Sequence, residues 1–220
     1  MQCIKDTIKN INIVIGCNIG CSYCYARMNN NRFHTIDDFN KPVFFENKLK
    51  MLDNKRHTAY LLTGQSDLSG WNEEWKDKVF SKMKENETTQ YIFLTKRPEN
   101  INLKETPDNG WFGVTVTSSK EKRRVYYLRN NIKAKHYHIT FEPMFDDVGK
   151  LDLNNISWIV IGTETGNRKR KISSKREWVF NIYNQAKEKN IPVFMKEDLL
   201  GILNEDEFVQ EFPKEFGEIK

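Results

Sequence analysis

The sequence predicts an α/β protein, a partial or tightly built (β/α) barrel of about six to seven parallel strands with helices outside. Three observations favour it: short apolar runs recur along the 220 residues, glycines or prolines stop most of them, and amphipathic segments separate them. Short buried strands that alternate with helices are typical of a parallel sheet covered by helices. A chain of this length fits one domain. We expect the barrel to span 1–203, with 204–220 as an acidic C-terminal tail or a short helix.

The predicted strands are rich in β-branched and aromatic residues. Gly16 follows the first strand, Gly64 follows the second, and Pro98 comes soon after the third. The turn pair Asn109-Gly110 precedes the fourth strand. In chain order, the seven predicted strands are 11–15, 60–63, 91–95, 111–116, 137–141, 158–161 and 192–195.

Helices are predicted between several of these strands. The clearest spans about 174–189, because Ser174 and Glu177 have the spacing of a capping box and an apolar face follows them. That face consists of Trp178, Val179, Ile182, Tyr183 and Ala186. Weaker periodicity predicts three more helices, at 43–52, 72–85 and 119–130.

Three cysteines lie on one short loop directly after the first predicted strand. Cys17, Cys21 and Cys24 have the spacing C-x3-C-x2-C, with Tyr23 just before the third. Thiolates select iron–sulfur clusters, zinc or Cu(I). A cubane cluster needs four ligands, so three cysteines would leave one iron open. The alternative is a structural zinc site, although such sites usually combine two C-x2-C pairs, or cysteine with histidine.

The position of this loop agrees with a ligand-binding role. In α/β barrels and open α/β sheets, ligands bind at the carboxyl ends of the strands. The cysteine loop follows a predicted strand and therefore lies at that edge. The sequence thus predicts a metal or cluster site at the mouth of the barrel.

With an aromatic residue before its third cysteine, the motif resembles that of the radical S-adenosylmethionine (radical SAM) enzymes. The resemblance implies a partial barrel and a 4Fe–4S cluster held by Cys17, Cys21 and Cys24, with SAM chelating the open iron. It implies that Tyr23 lies against the adenine and that an external donor reduces the cluster. One electron would then cleave SAM to methionine and a 5′-deoxyadenosyl radical, which abstracts hydrogen from the substrate.

Three further segments extend the resemblance from about Ile11 to Leu203. They are Leu-Thr-Lys-Arg-Pro at 94–98, Phe-Glu-Pro at 141–143 and Ile-Gly-Thr-Glu-Thr-Gly at 161–166. Together they resemble small radical SAM proteins of phages and mobile elements, which are distantly similar to spore photoproduct lyase. That lyase uses an additional downstream cysteine as hydrogen donor, whereas this chain has no cysteine after Cys24. The resemblance therefore predicts fold and cofactor but neither substrate nor product.

The resemblance also implies SAM contacts at the strand ends. A Gly-Gly-Glu-like turn that holds the SAM amino group corresponds here to 63–67, and a backbone contact tolerates the different side chains. Polar residues after the fourth strand would lie near the ribose and the methionine carboxylate, or Thr117 and Ser118 would cap the following helix. The glycine-containing segment 162–166 would border the adenine. The implied cofactor-binding residues are Tyr23, Thr63, Gly64, Gln65, Thr115, Thr117, Ser118, Gly162, Thr163, Glu164 and Gly166.

Charged residues follow several predicted strands. A charge in a barrel mouth is costly unless it is paired. Glu142 and Glu164 are therefore expected to pair with Lys96, Arg97 or Lys196. These residues either form a salt-bridge network at the rim or bind substrate and transfer protons. The candidates for a catalytic role are Lys96, Glu142 and Lys196.

The net charge of +5 is unevenly distributed. One basic group is 120–124, and a denser one lies between Arg168 and Arg176. Such groups attract nucleic acid or another anion, or they are solvated surface. Two functions follow: a radical SAM enzyme acting on an anionic, nucleic-acid-related substrate, or a non-catalytic zinc or iron–sulfur protein that contacts nucleic acid through its basic patches.

The hydropathy pattern predicts a cytoplasmic protein. No apolar run approaches the roughly 18 residues of a membrane span, and the first residues lack the apolar core of a signal peptide. In the cytoplasm thiols stay reduced, so clustered cysteines are expected to bind metal rather than to form disulfides.

Overall fold

The computed structural model describes residues 1–54, 58–165, 168–169 and 171–217. Its main sheet has seven parallel strands in the order β1-β4-β5-β6-β7-β8-β9 and curls into a half-barrel with helices outside. The predicted partial (β/α) barrel is therefore confirmed. The strands are β1 Ile8–Asn10, β4 Ala59–Leu61, β5 Gln90–Thr95, β6 Gly110–Thr115, β7 His136–Phe141, β8 Ile156–Ile161 and β9 Val193–Met195.

The prediction of a first barrel strand at 11–15 is wrong. The first barrel strand is β1, and it pairs in parallel with β4. Within 11–15, β2 (Val14–Ile15) instead pairs antiparallel with β3 (Val43–Phe44). The apolar run has a different cause: Val14 packs into the main core, whereas Ile15 packs into a small separate core beneath the cysteine loop. Because side chains on both sides of this segment are buried, the segment is apolar although it is not a barrel strand.

Five helices occur in the described residues: α1 Ile4–Thr7, α2 Tyr25–Phe33, α3 Glu73–Lys84, α4 Arg123–Asn131 and α5 Arg176–Glu188. Those predicted at 72–85 and 174–189 are confirmed as α3 and α5. The segment 119–130 divides into a 3-10 turn, Ser119–Glu121, and α4. The helix predicted at 43–52 is confirmed only in part, because β3 occupies Val43–Phe44 and the rest is a 3-10 helix, Glu46–Asp53, rather than an α-helix.

The start of α5 also differs from its prediction. Its N-cap is Lys175, and no side chain caps the helix there. Ser174 is buried instead, and its backbone N–H donates to Thr163 Oγ1 at 3.0 Å. A serine hydroxyl caps a helix only when it faces the first turn. Here Ser174 ties the entry of α5 to the end of β8.

Two apolar layers cover the two faces of the sheet, because successive strand side chains point to opposite sides. The cluster on the outer face contains strand residues such as Phe93 and Phe112 together with Val79 of α3 and Val179 of α5. The inner face has its own cluster, which contains Ile8, Ala59, Ile92, Trp111, Trp158, Val160, Phe194 and Phe216. The inner layer fills the base of the half-barrel and leaves the strand ends above it for polar residues.

The segment 204–217, predicted as an acidic tail or a short helix, includes a 3-10 helix, Glu205–Glu207, and packs against the edge of the sheet. It runs antiparallel along β9, where Met195 N donates to Val209 O and Glu211 N donates to Val193 O, both at 2.8 Å. Phe216 is buried in the inner cluster, and Phe212 packs against it. The apolar residues of this segment therefore fix its position, while its acidic residues stay near the surface. No helix in the described part of the chain is long and apolar enough to span a bilayer.

Candidate cluster and cofactor site

The cysteine loop is attached to the turn after β4. Gly16 N donates to Gln65 O at 3.0 Å, and Cys17 N donates to Phe39 O. Gly16 has a φ of +113°, and an added Cβ would lie 2.9 Å from Pro42 Cα. Glycine is therefore required at the point where the chain enters the loop. These contacts place the loop at the carboxyl ends of the strands.

Arg27 in α2 connects the two ends of the loop. The helix begins after Cys24, whose Sγ accepts from Arg27 N at 3.4 Å. The Arg27 guanidinium donates to Cys17 O at 2.8 Å and to Asn40 Oδ1 at 3.0 Å, and it lies over the Phe39 ring. The guanidinium thus joins the first cysteine to the helix that follows the third. Sequence periodicity missed both α2 and this role of Arg27.

The three thiols of the loop are half-buried. Burial raises the pKa of Cys17 to about 11, and the neighbouring Asp67, Cys21 and Cys24 act in the same direction. Among the described residues, no three His, Cys, Asp or Glu side chains have the geometry to hold a metal, and this includes the three cysteines. Their chemistry nevertheless fits a cluster, because three soft donors share one loop and a cubane accepts three protein ligands.

Cys3 lies elsewhere in the structure. Its thiol donates to Glu197 Oε1 at 3.0 Å, and this hydrogen bond raises the pKa of Cys3. The first three residues also join the far edge of the sheet, since Gln2 N donates to Gln210 Oε1 at 2.7 Å. Cys3 therefore has a structural contact that does not involve the cysteine loop.

The two tyrosines on either side of Cys24 face different partners. The Tyr23 ring meets Phe145 edge-on at 5.4 Å, and Lys96 Nζ lies 5.8 Å from the ring centroid. Burial raises the pKa of Tyr23. Tyr25, which the sequence analysis did not select, donates from its hydroxyl to Gly64 O at 2.6 Å. Tyr23 thus lies at the mouth beside a cation, and Tyr25 joins α2 to the turn after β4.

The turn 63–67 after β4 is held by the neighbouring strand. Thr63 Oγ1 accepts from Leu94 N at 2.7 Å. The Asp67 carboxylate accepts from Thr95 Oγ1 at 2.7 Å and from Lys96 N at 2.8 Å. These hydrogen bonds explain why the turn contains short polar side chains at Thr63 and Asp67. Its backbone is therefore fixed without any contribution from the Gly64 and Gln65 side chains.

Thr115 and Thr117, at and after the end of β6, form hydrogen bonds within the protein. Thr117 Oγ1 donates to Glu121 Oε2 at 2.6 Å, and Arg124 Nη1 donates to Thr115 O at 2.7 Å. Arg124 also pairs with Glu121 at 2.8 Å. Ser118 occupies the N-cap position of the 3-10 turn without a side-chain hydrogen bond. Glu121, which no sequence motif marks, orients Thr117 and anchors Arg124 beneath the rim.

A charged cluster of Lys196, Glu142 and Asp198 occupies the ends of β7 and β9. Lys196 Nζ contacts Glu142 Oε1 and lies 3.1 Å from Asp198 Oδ2. Burial disfavours the ammonium, but the two carboxylates keep the pKa of Lys196 above its ordinary value. Burial also raises the pKa of Asp198, whose Oδ1 accepts from Thr163 N at 3.0 Å. The predicted pairing of Glu142 with Lys196 is confirmed, and Asp198 is the member that sequence reasoning missed.

Gly162 lies against this cluster. A Cβ on Gly162 would be 3.1 Å from Asp198 Oδ1, 3.1 Å from Lys196 Cδ and 3.3 Å from Glu142 Cγ. A side chain at position 162 would therefore press on all three residues of the charged cluster, irrespective of any bound base. Gly166, the other glycine assigned to the adenine edge, lies outside the described residues.

The predicted pairing of Glu164 with a strand-end cation is wrong. Glu164 forms two hydrogen bonds with Arg168, at 2.5 and 2.7 Å, because that residue follows on the same loop. Arg176 in the same basic group contacts Glu207. Two cations of the denser basic group are thus neutralised, and Arg170 lies outside the described residues. By contrast, among the described residues no carboxylate lies within ion-pair distance of Lys96.

His138 is a buried titratable residue inside the half-barrel that sequence reasoning did not select. It lies on β7, is 1% exposed, and its Nε2 lies 3.1 Å from Phe93 O. Nδ1 is buried and has no hydrogen-bond partner among the described residues. Burial lowers the pKa of His138 to about 4. The imidazole is therefore neutral near pH 7, with Nε2 as its donor.

The stability of the protein is expected to fall as the pH is lowered from about 6.5 towards 4. An unfolded histidine has a pKa of about 6.5, so in this window the unfolded state binds a proton that the folded state does not. The free energy of unfolding should decrease by about 3 kcal/mol across it. Urea unfolding at several pH values measures this. A His138→Gln variant should show a shallower dependence, and an unchanged dependence would contradict the assignment.

Comparison with known proteins identifies a family but no activity. Residues 2–218 match the family described as protein of unknown function (DUF5131). No curated protein and no solved structure matches the chain. A functional assignment therefore depends on the residues and geometry of the site.

Proposed function

We propose that this chain, which belongs to the DUF5131 family, is a radical SAM enzyme. It would cleave SAM reductively at a 4Fe–4S cluster held by Cys17, Cys21 and Cys24 and would act on an anionic substrate. The observation that supports this most is the position of the cysteine loop: Gly16 bridges to Ser66 at the carboxyl ends of a parallel half-barrel. Three soft donors at that edge fit a cluster that leaves one coordination position for a small ligand.

The surrounding residues would orient the cofactors. When bound, the cluster would supply one electron to SAM and so generate the radical that abstracts hydrogen. Arg27 holds both ends of the cysteine loop, and Tyr25 fixes the backbone of Gly64 in the turn after β4. Backbone groups of that turn are rigid because Thr63 and Asp67 bond to β5 and its end. The Tyr23 ring, at the mouth, would provide a flat surface for the base.

The charges at the strand ends divide the candidate catalytic residues into two groups. Lys196 shares its ammonium between Glu142 and Asp198. These three side chains are mostly shielded from solvent and carry one more negative than positive charge. They therefore suit a cationic group or proton transfer rather than an anion. Lys96 lies over Tyr23 with no carboxylate in ion-pair range among the described residues. Lys96 is therefore the better candidate for holding an anionic group of the substrate.

The proposed activity is tested by anaerobic reconstitution with iron and sulfide, followed by dithionite and SAM. We expect 5′-deoxyadenosine from the wild type and none from a Cys21→Ala variant. Stoichiometric zinc without iron–sulfur absorbance would instead support the alternative of a non-catalytic metal-binding protein. A reconstituted 4Fe–4S protein that neither binds nor cleaves SAM would contradict the proposal.

A further inference from the structure

A basic groove runs along the outside of the half-barrel beside α4. It has a volume of about 240 Å³, and its floor includes the apolar Val125 and Leu151. Because α4 follows β6, its first turn begins near the mouth and the helix then runs back along the outside of the sheet. The charged and aromatic residues that line this α4 groove are Lys122, Arg123, Tyr126, Arg129, Lys150 and Asp152.

The α4 groove has an uncompensated positive charge. Its single lining carboxylate, Asp152, accepts from Arg129 at 2.5 Å and is thereby neutralised. Among the described residues, no carboxylate lies within ion-pair distance of Lys122, Arg123 or Lys150. Lys122 Nζ donates to a backbone oxygen, that of Lys150, at 3.2 Å. Three cations thus face the α4 groove without acidic partners and are available to an anion.

An exposed aromatic ring lies among these cations. Tyr126 is 60% exposed, although most large apolar or aromatic side chains of the described chain are buried. Because Tyr126 lines the same groove as Arg123 and Lys150, it provides a flat apolar face close to positive charge. Proteins that bind single-stranded nucleic acid combine these two features: cations that follow the phosphates and aromatic rings on which bases stack. Duplex binding requires the cations but offers no unstacked base to the ring.

A second groove of similar size provides an internal comparison. It has a volume of about 250 Å³ and lies between α3 and the loop before β6. Its ionisable lining residues are Asp77, Lys84 and Glu105, which makes it net acidic. The two grooves differ in charge and in the exposed tyrosine, not in size. A positive charge is therefore a property of the α4 groove rather than of every groove on this basic protein.

We propose that the α4 groove binds single-stranded nucleic acid, with Lys122, Arg123 and Lys150 contacting phosphates and Tyr126 stacking on a base. The denser basic group at 168–176 is a weaker candidate, because Arg168 and Arg176 are paired with carboxylates. Binding at the α4 groove requires neither SAM nor a cluster. The proposal is therefore independent of the proposed enzymatic activity.

The test is fluorescence anisotropy with labelled 12-nucleotide single-stranded DNA and RNA and with a duplex, over a salt series. Each phosphate contact on a single strand contributes about 0.7 to the slope of log K against log salt. An Arg123→Ser/Lys150→Ser variant should lower this slope by about 1.4. Tyr126→Ala should weaken single-strand binding about 5- to 150-fold and leave duplex binding unchanged. The control Lys84→Ser, in the acidic groove, should bind as the wild type does.

Three results would overturn the proposal. One is the absence of single-strand binding at low salt. Another is unchanged binding by both groove variants, which would place any nucleic-acid contact elsewhere. A third is an equal loss of single-strand and duplex affinity in Tyr126→Ala, which would exclude stacking. A difference between the DNA and RNA probes would identify the natural ligand without changing the assignment of the α4 groove.

Discussion

Replacing Cys17 or Cys21 by alanine is expected to abolish cluster incorporation. In the proposed site each substitution removes one of three thiol ligands, and within the described residues the fourth cysteine, Cys3, is bonded to Glu197 instead. The iron content after anaerobic reconstitution should fall from about four atoms per chain to below one. Iron and sulfide analysis measures this, together with the absorbance and the electron paramagnetic resonance of the reduced protein.

The controls separate ligand loss from misfolding. Cys3→Ala should retain the full iron content, because its thiol contacts only a carboxylate outside the cysteine loop. Cys24→Ala is less suitable, because the Cys24 sulfur also accepts from Arg27 N at the start of α2, so its loss would affect the helix as well as the cluster. Circular dichroism of Cys17→Ala and Cys21→Ala should match that of the wild type. Loss of the cluster in Cys3→Ala would imply four protein ligands and would contradict the radical SAM assignment.

The sequence predicted the barrel well because its strands are buried on both faces. Runs such as 91–94 and 158–161 are apolar throughout, and each ends near a residue that breaks a strand. The first strand was misplaced for the same reason. Ile11 to Ile15 form the more apolar run, whereas β1 contains Lys9 and Asn10. Hydrophobicity cannot distinguish a barrel strand from a buried segment beneath a loop.

The site was predicted only as far as local spacing allows. The cysteine motif lies within eight residues, so its placement on one loop follows from the chain. Asp198 and Arg27 were missed because their roles depend on contacts across the sheet or the loop. Glu121 contacts only Thr117 and Arg124 nearby in sequence, and no motif marks it. His138 was missed because a histidine within an apolar strand carries no motif. Long-range pairing depends on the curvature of the sheet, which a single sequence does not specify.

Replacing Gly113 by alanine is expected to destabilise the folded protein by about 3 kcal/mol. An added Cβ would lie 2.4 Å from both Cε1 and Nε2 of His138 and 2.5 Å from Cδ2. The ring cannot easily move, because it is fully buried and its Nε2 bonds to Phe93 O. Relief would require breaking that hydrogen bond or separating β6 from β7. Urea unfolding at pH 7 measures the loss.

A double-mutant cycle tests whether the clash with the His138 ring causes the loss of stability in Gly113→Ala. His138→Ala alone should also destabilise the protein, since it leaves a cavity in the inner layer beside Trp158. The same substitution makes room for the new methyl group at position 113. The two effects should therefore be non-additive, with the double variant more stable than the sum predicts by at least about 1 kcal/mol. Additive losses would mean that Gly113 is required for a reason other than the His138 ring.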